Sequence, residues 1–195
     1  MLRNVAIDLE IVLVIHASDI LLKTTPKSAI PLRVIAATDW PNVKSQLPKP
    51  SQVWAEAQGF EAAPLTLLHI ANSRGEIAEI LLGAPRAGDD PFALGAIASK
   101  LPVGSYAFTA VPETPELVAL GWCLELYKYD PLRPTKIKAV KLACPKGVNH
   151  AEVVALAEAS FGVRDRVNAP ANHFGPDELE QTARKIAKTH GAKFS

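Results

Sequence analysis

The chain has 195 residues, 48% of them hydrophobic and 21% charged, which supplies apolar material for one good-sized core, or one core plus a fragment of a second, and excludes a disordered chain. Lys and Arg total 21 against 20 Asp and Glu, a formal net charge of +1, so no global field selects a nucleic acid or a membrane as partner, and any such partner must use a local patch. Two cysteines, Cys123 and Cys144, form neither a CxxC pair nor a disulfide framework and are expected as reduced, partly buried thiols in a cytoplasmic protein.

The opening MLRNVAIDLEIVLVI contains an apolar run, but Asp8 and Glu10 precede it, Asp19 follows, and no small-residue cleavage site is present. It reads as a buried strand rather than a signal peptide. No window approaches the roughly 18 apolar residues that a membrane-spanning helix requires. Strands are expected at Ile11–Ile15, Leu32–Ala36, Thr66–Ile70, Ile77–Leu82, Ser105–Ala110 and Lys136–Leu142, each bounded by Pro, Gly, Asn or charged residues. They alternate with stretches of helical period, so the fold class is α/β, a mixed sheet flanked by helices. The Pro-rich stretch from Pro41 to Pro50 and the segment Tyr129–Pro134 read as loops. Gly83 to Gly88 has the gap of a phosphate loop, but Asp89 and Asp90 stand where Lys and Ser/Thr are needed and would repel phosphate. A turn and a capped helix from Pro91 are expected there instead.

Three helices announce their caps. Thr114 followed by Pro115 offers a capping hydroxyl and a proline at the first helical position, with Leu117, Leu120, Leu124 and Tyr127 recurring on one face. Asn149 and Glu152 have capping-box spacing, Val153, Leu156, Ala157 and Phe161 form a stripe, and Gly162 suits the exit. A last helix starts at Gly175-Pro176-Asp177-Glu178, where two carboxylates face the positive end of the dipole. Leu179, Ala183, Ile186 and His190 share one face, Glu180 and Arg184 can pair, and Gly191 is placed to end it.

The five histidines, His16, His69, His150, His173 and His190, show no HxH or HExxH spacing, so no metal is assigned to them. Between Lys128 and Lys146 stand six basic residues, Lys128, Arg133, Lys136, Lys138, Lys141 and Lys146, against one acid, Asp130. This run is either a nucleic-acid footprint or, the plainer alternative, an edge strand kept from aggregating by its lysines.

The segment RDRVNAPANHFGPDEL, Arg164 to Leu179, resembles the stretch that opens the catalytic domain of the leucyl aminopeptidase (cytosol aminopeptidase) family. Arg164, Asp165, Asn168, Pro170, Ala171, Asn172, Pro176 and Leu179 fall at that family's spacing, while Arg166, Ala169 and the pair His173-Phe174 depart from its usual residues. Leu101-Pro102-Val103-Gly104 and, further on, Ala119-Leu120-Gly121-Trp122 with Tyr127 look like the end of the family's amino-terminal domain. Physically these are structural residues: Pro170 holds Ala169 extended, the asparagines suit turns, and Pro176 launches a helix.

The resemblance implies a macro-domain-like amino-terminal α/β domain over 1–148, a connector helix over 149–163 and the truncated opening of a catalytic peptidase domain over 164–195. It implies a two-metal exopeptidase that releases N-terminal residues from peptides, with two divalent ions, Mn or Zn, in the full-length hexamer. The family's lysine, aspartate and carboxylate-arginine metal motifs do not occur in this sequence. The expectation is therefore that this chain has no catalytic or metal residues, is inactive by itself, and is a monomer or weak dimer. A non-enzymatic assembly module, a DNA-binding one using the basic run, or a nucleotide-binding one, since macro domains bind ADP-ribose, is the alternative; fold analogy alone does not transfer a site.

Overall fold

The computed structural model describes residues 16–129 and 139–195. The strand expected at Ile11–Ile15, most of the loop expected from Tyr129 and the first residues of the strand expected from Lys136 lie outside them. Among the described residues six strands form one sheet: β1 (Leu21–Leu22), β2 (Ile30–Ile35), β3 (Leu67–Ala71), β4 (Ile77–Gly83), β5 (Gly104–Phe108) and β6 (Val140–Ala143), in the order β1-β6-β5-β2-β4-β3. Every neighbouring pair is parallel except β3 with β4. That hairpin turns on Asn72, whose Oδ1 accepts from the amides of Arg74 and Glu76 at 2.9 and 3.0 Å, and on Gly75 at φ 80°.

Cross-strand partners share a face, so the register sorts the core. Leu32 lies opposite both Ile80 and Phe108, placing these on one side, while Leu68 opposite Leu81 lies on the other. The second side packs against α2 (Trp40–Gln46) and α3 (Lys49–Ala57), which follow α1 (Ala17–Ile20); Trp40, Val43, Ala55, Phe60, Leu68 and Leu81 share one cluster. Trp40 and Phe60 meet edge to face at 4.9 Å. The first side receives α4 (Pro115–Leu126), whose Trp122 approaches Tyr106 at 6.1 Å and Phe108 at 6.5 Å.

Both helices α2 and α3 occupy the stretch expected to be a Pro-rich loop. The expectation fails because Pro41 and Pro50 each stand in a first turn, where the missing amide has no intrahelical partner to lose. The helix expected from Pro91 is instead a set of turns leading to a short 3₁₀ helix, Gly95–Lys100. Its glycine packs tightly: a Cβ on Gly95 would come within 2.5 Å of the Trp122 amide nitrogen.

The backbone before β3 runs close against the end of β4. A Cβ on Gly83 would lie 1.9 Å from the Ala63 carbonyl oxygen. The segment before β3 reaches that position through Ala62 and Leu65, both left-handed at φ 50° and 57°, a conformation that costs non-glycine residues on the order of 1–3 kcal/mol. Leu65 donates to the Gly83 carbonyl and Gly83 to that of Thr66, both at 3.0 Å.

In α4 the expected capping hydroxyl of Thr114 makes no capping bond and points 3.5 Å from the Pro91 carbonyl. The expected stripe of Leu117, Leu120, Leu124 and Tyr127 is only half-buried; Val118, Ala119, Trp122, Cys123 and Leu126 fill the interior. A helix apolar on all sides has no single stripe for the period to reveal. The next helix, α5 (His150–Asn168), does take the Asn149 Oδ1 as acceptor for the Glu152 amide, at 3.4 Å. It passes through Gly162 instead of stopping there. One interior glycine costs a helix only about 1 kcal/mol, whereas Pro170 disfavours helical geometry at Ala169, and α5 ends there. Of its expected stripe Val153, Ala157 and Phe161 are buried, but Leu156 is 50% exposed.

Two compact units divide between Glu158 and Ala159, within α5. The second holds the rest of α5, a turn and α6 (Pro176–Thr189). In that turn the Pro170 carbonyl accepts from His173 and Phe174 at 2.8 and 3.1 Å. Glu178 accepts from the Gly175 amide at 2.8 Å, half of a capping box whose other half a glycine has no side chain to make. Glu180 pairs with Arg184 at 2.7 Å, and Gly191 at φ 65° closes the helix as the Ala192 amide reaches back to Ala187. None of the residues of α6 is buried.

Candidate functional site

Chemistry in this chain would need titratable side chains to converge, and their placement can be followed one at a time. His69, on β3, has its pKa lowered by burial, and its Nε2 is buried without a hydrogen-bond partner among the described residues. His150 sits at the start of α5 with Nε2 2.8 Å from the Leu21 carbonyl; since a carbonyl only accepts, that nitrogen carries the proton. His16 lies 3.6 Å from Glu158, which also accepts the Ala17 amide at 2.5 Å and so holds the start of α1. His173 and His190 are exposed in the second unit. Among the described residues no three His, Cys, Asp or Glu side chains stand close enough to hold a metal ion, so these residues do not fit as a metal centre.

Both cysteines are free. Burial, then the nearby Glu158 and Cys144, push the Cys123 thiol up to about 12, and burial followed by Glu116 raises that of Cys144. Neither is a thiolate at neutral pH, the form nucleophilic catalysis requires. The segment from Gly83 to Gly88 cradles no phosphate either: Asp89 accepts the Arg86 amide at 2.7 Å and Asp90 that of Phe92 at 2.9 Å. The carboxylates use the backbone donors that a phosphate loop would present.

The basic run is seen only in part. Lys128 is exposed beyond α4, Lys141 is half-buried on β6 and Lys146 is exposed between β6 and α5, while Arg133, Lys136 and Lys138 lie outside the described residues. An open hollow of about 490 Å³ brings Lys146 together with Lys23, Cys144 and His150. Sequence reasoning missed Lys23 because nothing local marks it; it arrives through the pairing of Leu21 and Leu22 with Leu142 and Ala143. Of the eight residues that carry the sequence resemblance, Arg164, Asp165 and Asn168 occupy the last turns of α5, Pro170, Ala171 and Asn172 the turn after it, and Pro176 and Leu179 the first turn of α6. They are contiguous in the fold because they are contiguous in the chain.

The profile of the M17 aminopeptidase N-terminal domain matches residues 30–145. A search of curated proteins found no match. Among solved structures, the chain is similar to a cytosol aminopeptidase from Coxiella burnetii, with 25% identity and a TM-score of 0.80 over 89% of this chain and 38% of the other. It is also similar to the bottromycin maturation enzyme BotP in complex with Mn, with 23% identity and a TM-score of 0.62 over 84% and 37% of the two chains. A tomato leucine aminopeptidase mutant matches at 17% identity with a TM-score of 0.61, over 87% and 42%. At these last two identities the likeness speaks to fold alone. The chain thus spans about two fifths of the length of these solved relatives.

Proposed function

The chain belongs to the M17 aminopeptidase family by its N-terminal domain, and from that premise we propose that it is the amino-terminal region of a leucyl-type aminopeptidase, whose chemistry belongs to the catalytic domain. The observation behind this reading is the family match over residues 30–145. Residues 1–148 are then the amino-terminal domain, 149–163 its connector, and 164–195 the entry to the peptidase domain. Arg164, Asp165, Asn168 and Pro170 shape that entry as structural residues.

In the whole enzyme, on this reading, a pair of divalent ions, Mn or Zn, would supply an activated water for hydrolysis of the N-terminal peptide bond, held by residues outside those described here. The part of this chain is to fold, to carry the connector, and to present the second unit. Alone it is a monomer or weak dimer, and it works in the cytoplasm. Among the described residues no helix is long and apolar enough to cross a membrane.

The test is an assay with leucine p-nitroanilide in added manganese or zinc, run on this chain and on a fusion to a related catalytic domain. No turnover is expected from the chain, and chelator-sensitive turnover from the fusion. Chelator-sensitive hydrolysis by the chain alone overturns the reading.

A further inference from the structure

Among the described strands β3 ends the sheet, with β4 its one partner. The hairpin fixes which backbone groups of β3 face outward. The Thr66 carbonyl accepts from Gly83 across the hairpin, so by alternation Leu68 also faces β4, while the N–H and C=O groups of Leu67 and His69 point away from the sheet. Such a row is a template for another strand. The sequence of β3, Leu-Leu-His-Ile-Ala, holds none of the usual deterrents: no proline, no lysine and no carboxylate. Burial lowers the pKa of its one histidine, disfavouring a charge on that ring. The register shift between Ile70 and Ala71 shortens the edge but leaves Leu67 and His69 intact.

One side chain does stand on that edge. Trp54 of α3 donates its Nε1–H to the outward His69 carbonyl at 3.1 Å. Trp54 is 48% exposed, while Ala55 beside it is fully buried. Burial alone does not account for a tryptophan here; the bond to β3 gives it a position.

We propose that Trp54 guards the β3 edge, its indole N–H occupying the His69 carbonyl and its ring standing across the strand, so that a second copy of this chain cannot add its own β3 in antiparallel pairing. A second copy is the partner that fits. Antiparallel pairing of two identical edges sets Leu67 and His69 of each chain against the same residues of the other, and the strand carries no charge to repel its twin. A net charge of +1 adds little long-range repulsion.

Sedimentation velocity across a concentration series, with site-resolved amide exchange, tests this on the full chain. Trp54→Ala is expected to self-associate about tenfold more tightly than wild type, the scale of one or two net hydrogen bonds. Trp54→Phe, which keeps a ring but loses the donor, is expected in between and serves if the alanine variant fails to fold. In the associated species the Leu67 and His69 amides become protected as concentration rises, a signature that mere destabilisation does not give. Adding Leu67→Pro, which removes an outward donor and spares the bonds to β4, returns either variant to wild-type sedimentation. Association unchanged from wild type in the folded variants, or enhanced association that leaves the Leu67 and His69 amides unprotected, overturns the proposal.

Discussion

Helices α4 and α6 differ by two residues in length, begin alike on a proline, and have opposite fates. In α4 apolar residues surround the axis and six side chains or glycines are buried; in α6 the apolar residues keep to one stripe and none is buried. The more regular amphipathic pattern is therefore the one without an interior. Amphipathicity states that a face needs cover, and only a neighbouring element can supply it. Leu179 at 56% and Ile186 at 51% exposure still await theirs, so α6 holds together by local means: the Glu178 cap, the Glu180–Arg184 pair, Arg184 over the Phe194 ring at 4.5 Å, and the Gly191 exit.

The sharpest test of this contrast is hydrogen exchange. An isolated helix of this length is marginal in water, so the amides of 176–189 should exchange faster than those of 115–126 by on the order of a thousandfold or more, the ratio expected between local fraying and global opening. Equal protection in a monomer would break the comparison. Mutational stability reads the same difference. Trp122→Ala should cost about 3–5 kcal/mol, because the ring is fully buried against Tyr106 and Phe108. Ile186→Ala should stay within about 0.5 kcal/mol, and chemical denaturation followed by circular dichroism measures both.

The smallest effect is in acid. The amides of Gly175 and of Glu178 itself hold the Glu178 carboxyl below its ordinary pKa. A carboxylate depressed in the folded state contributes stability above its unfolded pKa and loses it as pH falls through the folded one. Helical signal from α6 should therefore weaken below the usual glutamate range, and Glu178→Gln should remove that dependence. A carboxyl that titrates at the ordinary value by NMR would count against the cap.

How much of this was legible in the sequence depends on what each signal measures. The strands β2, β3, β4 and β5 were readable because short runs of Val, Ile and Leu between breakers have few other uses. The cap and exit of α6 were readable because they are local. Two proline-led helices were misread as loop, since proline marks a helix start as well as a break, and only the tertiary cover over Trp40 and Ala55 decides between them. The exit assigned to Gly162 failed for the converse reason: a weak breaker yielded to a strong one at Pro170. For the candidate site, the contiguity of the residues from Arg164 to Leu179 was legible. The meeting of Lys23 with Lys146 was not, because a parallel pairing between distant segments leaves no trace in either one.

That parallel pairing also constrains the order of events during synthesis. The β3–β4 hairpin pairs residues close in the chain, as Ala71 opposite Ile77 illustrates, and it can close while the rest is still being made. The strand β1 must wait, since its described partner is β6 and its register runs Leu21 to Leu142. Long-range pairings form slowly because the intervening loop must first be closed. A nascent chain emerging from the ribosome therefore carries Leu21 and Leu22 without their β6 partners until the residues of β6 have cleared the exit tunnel.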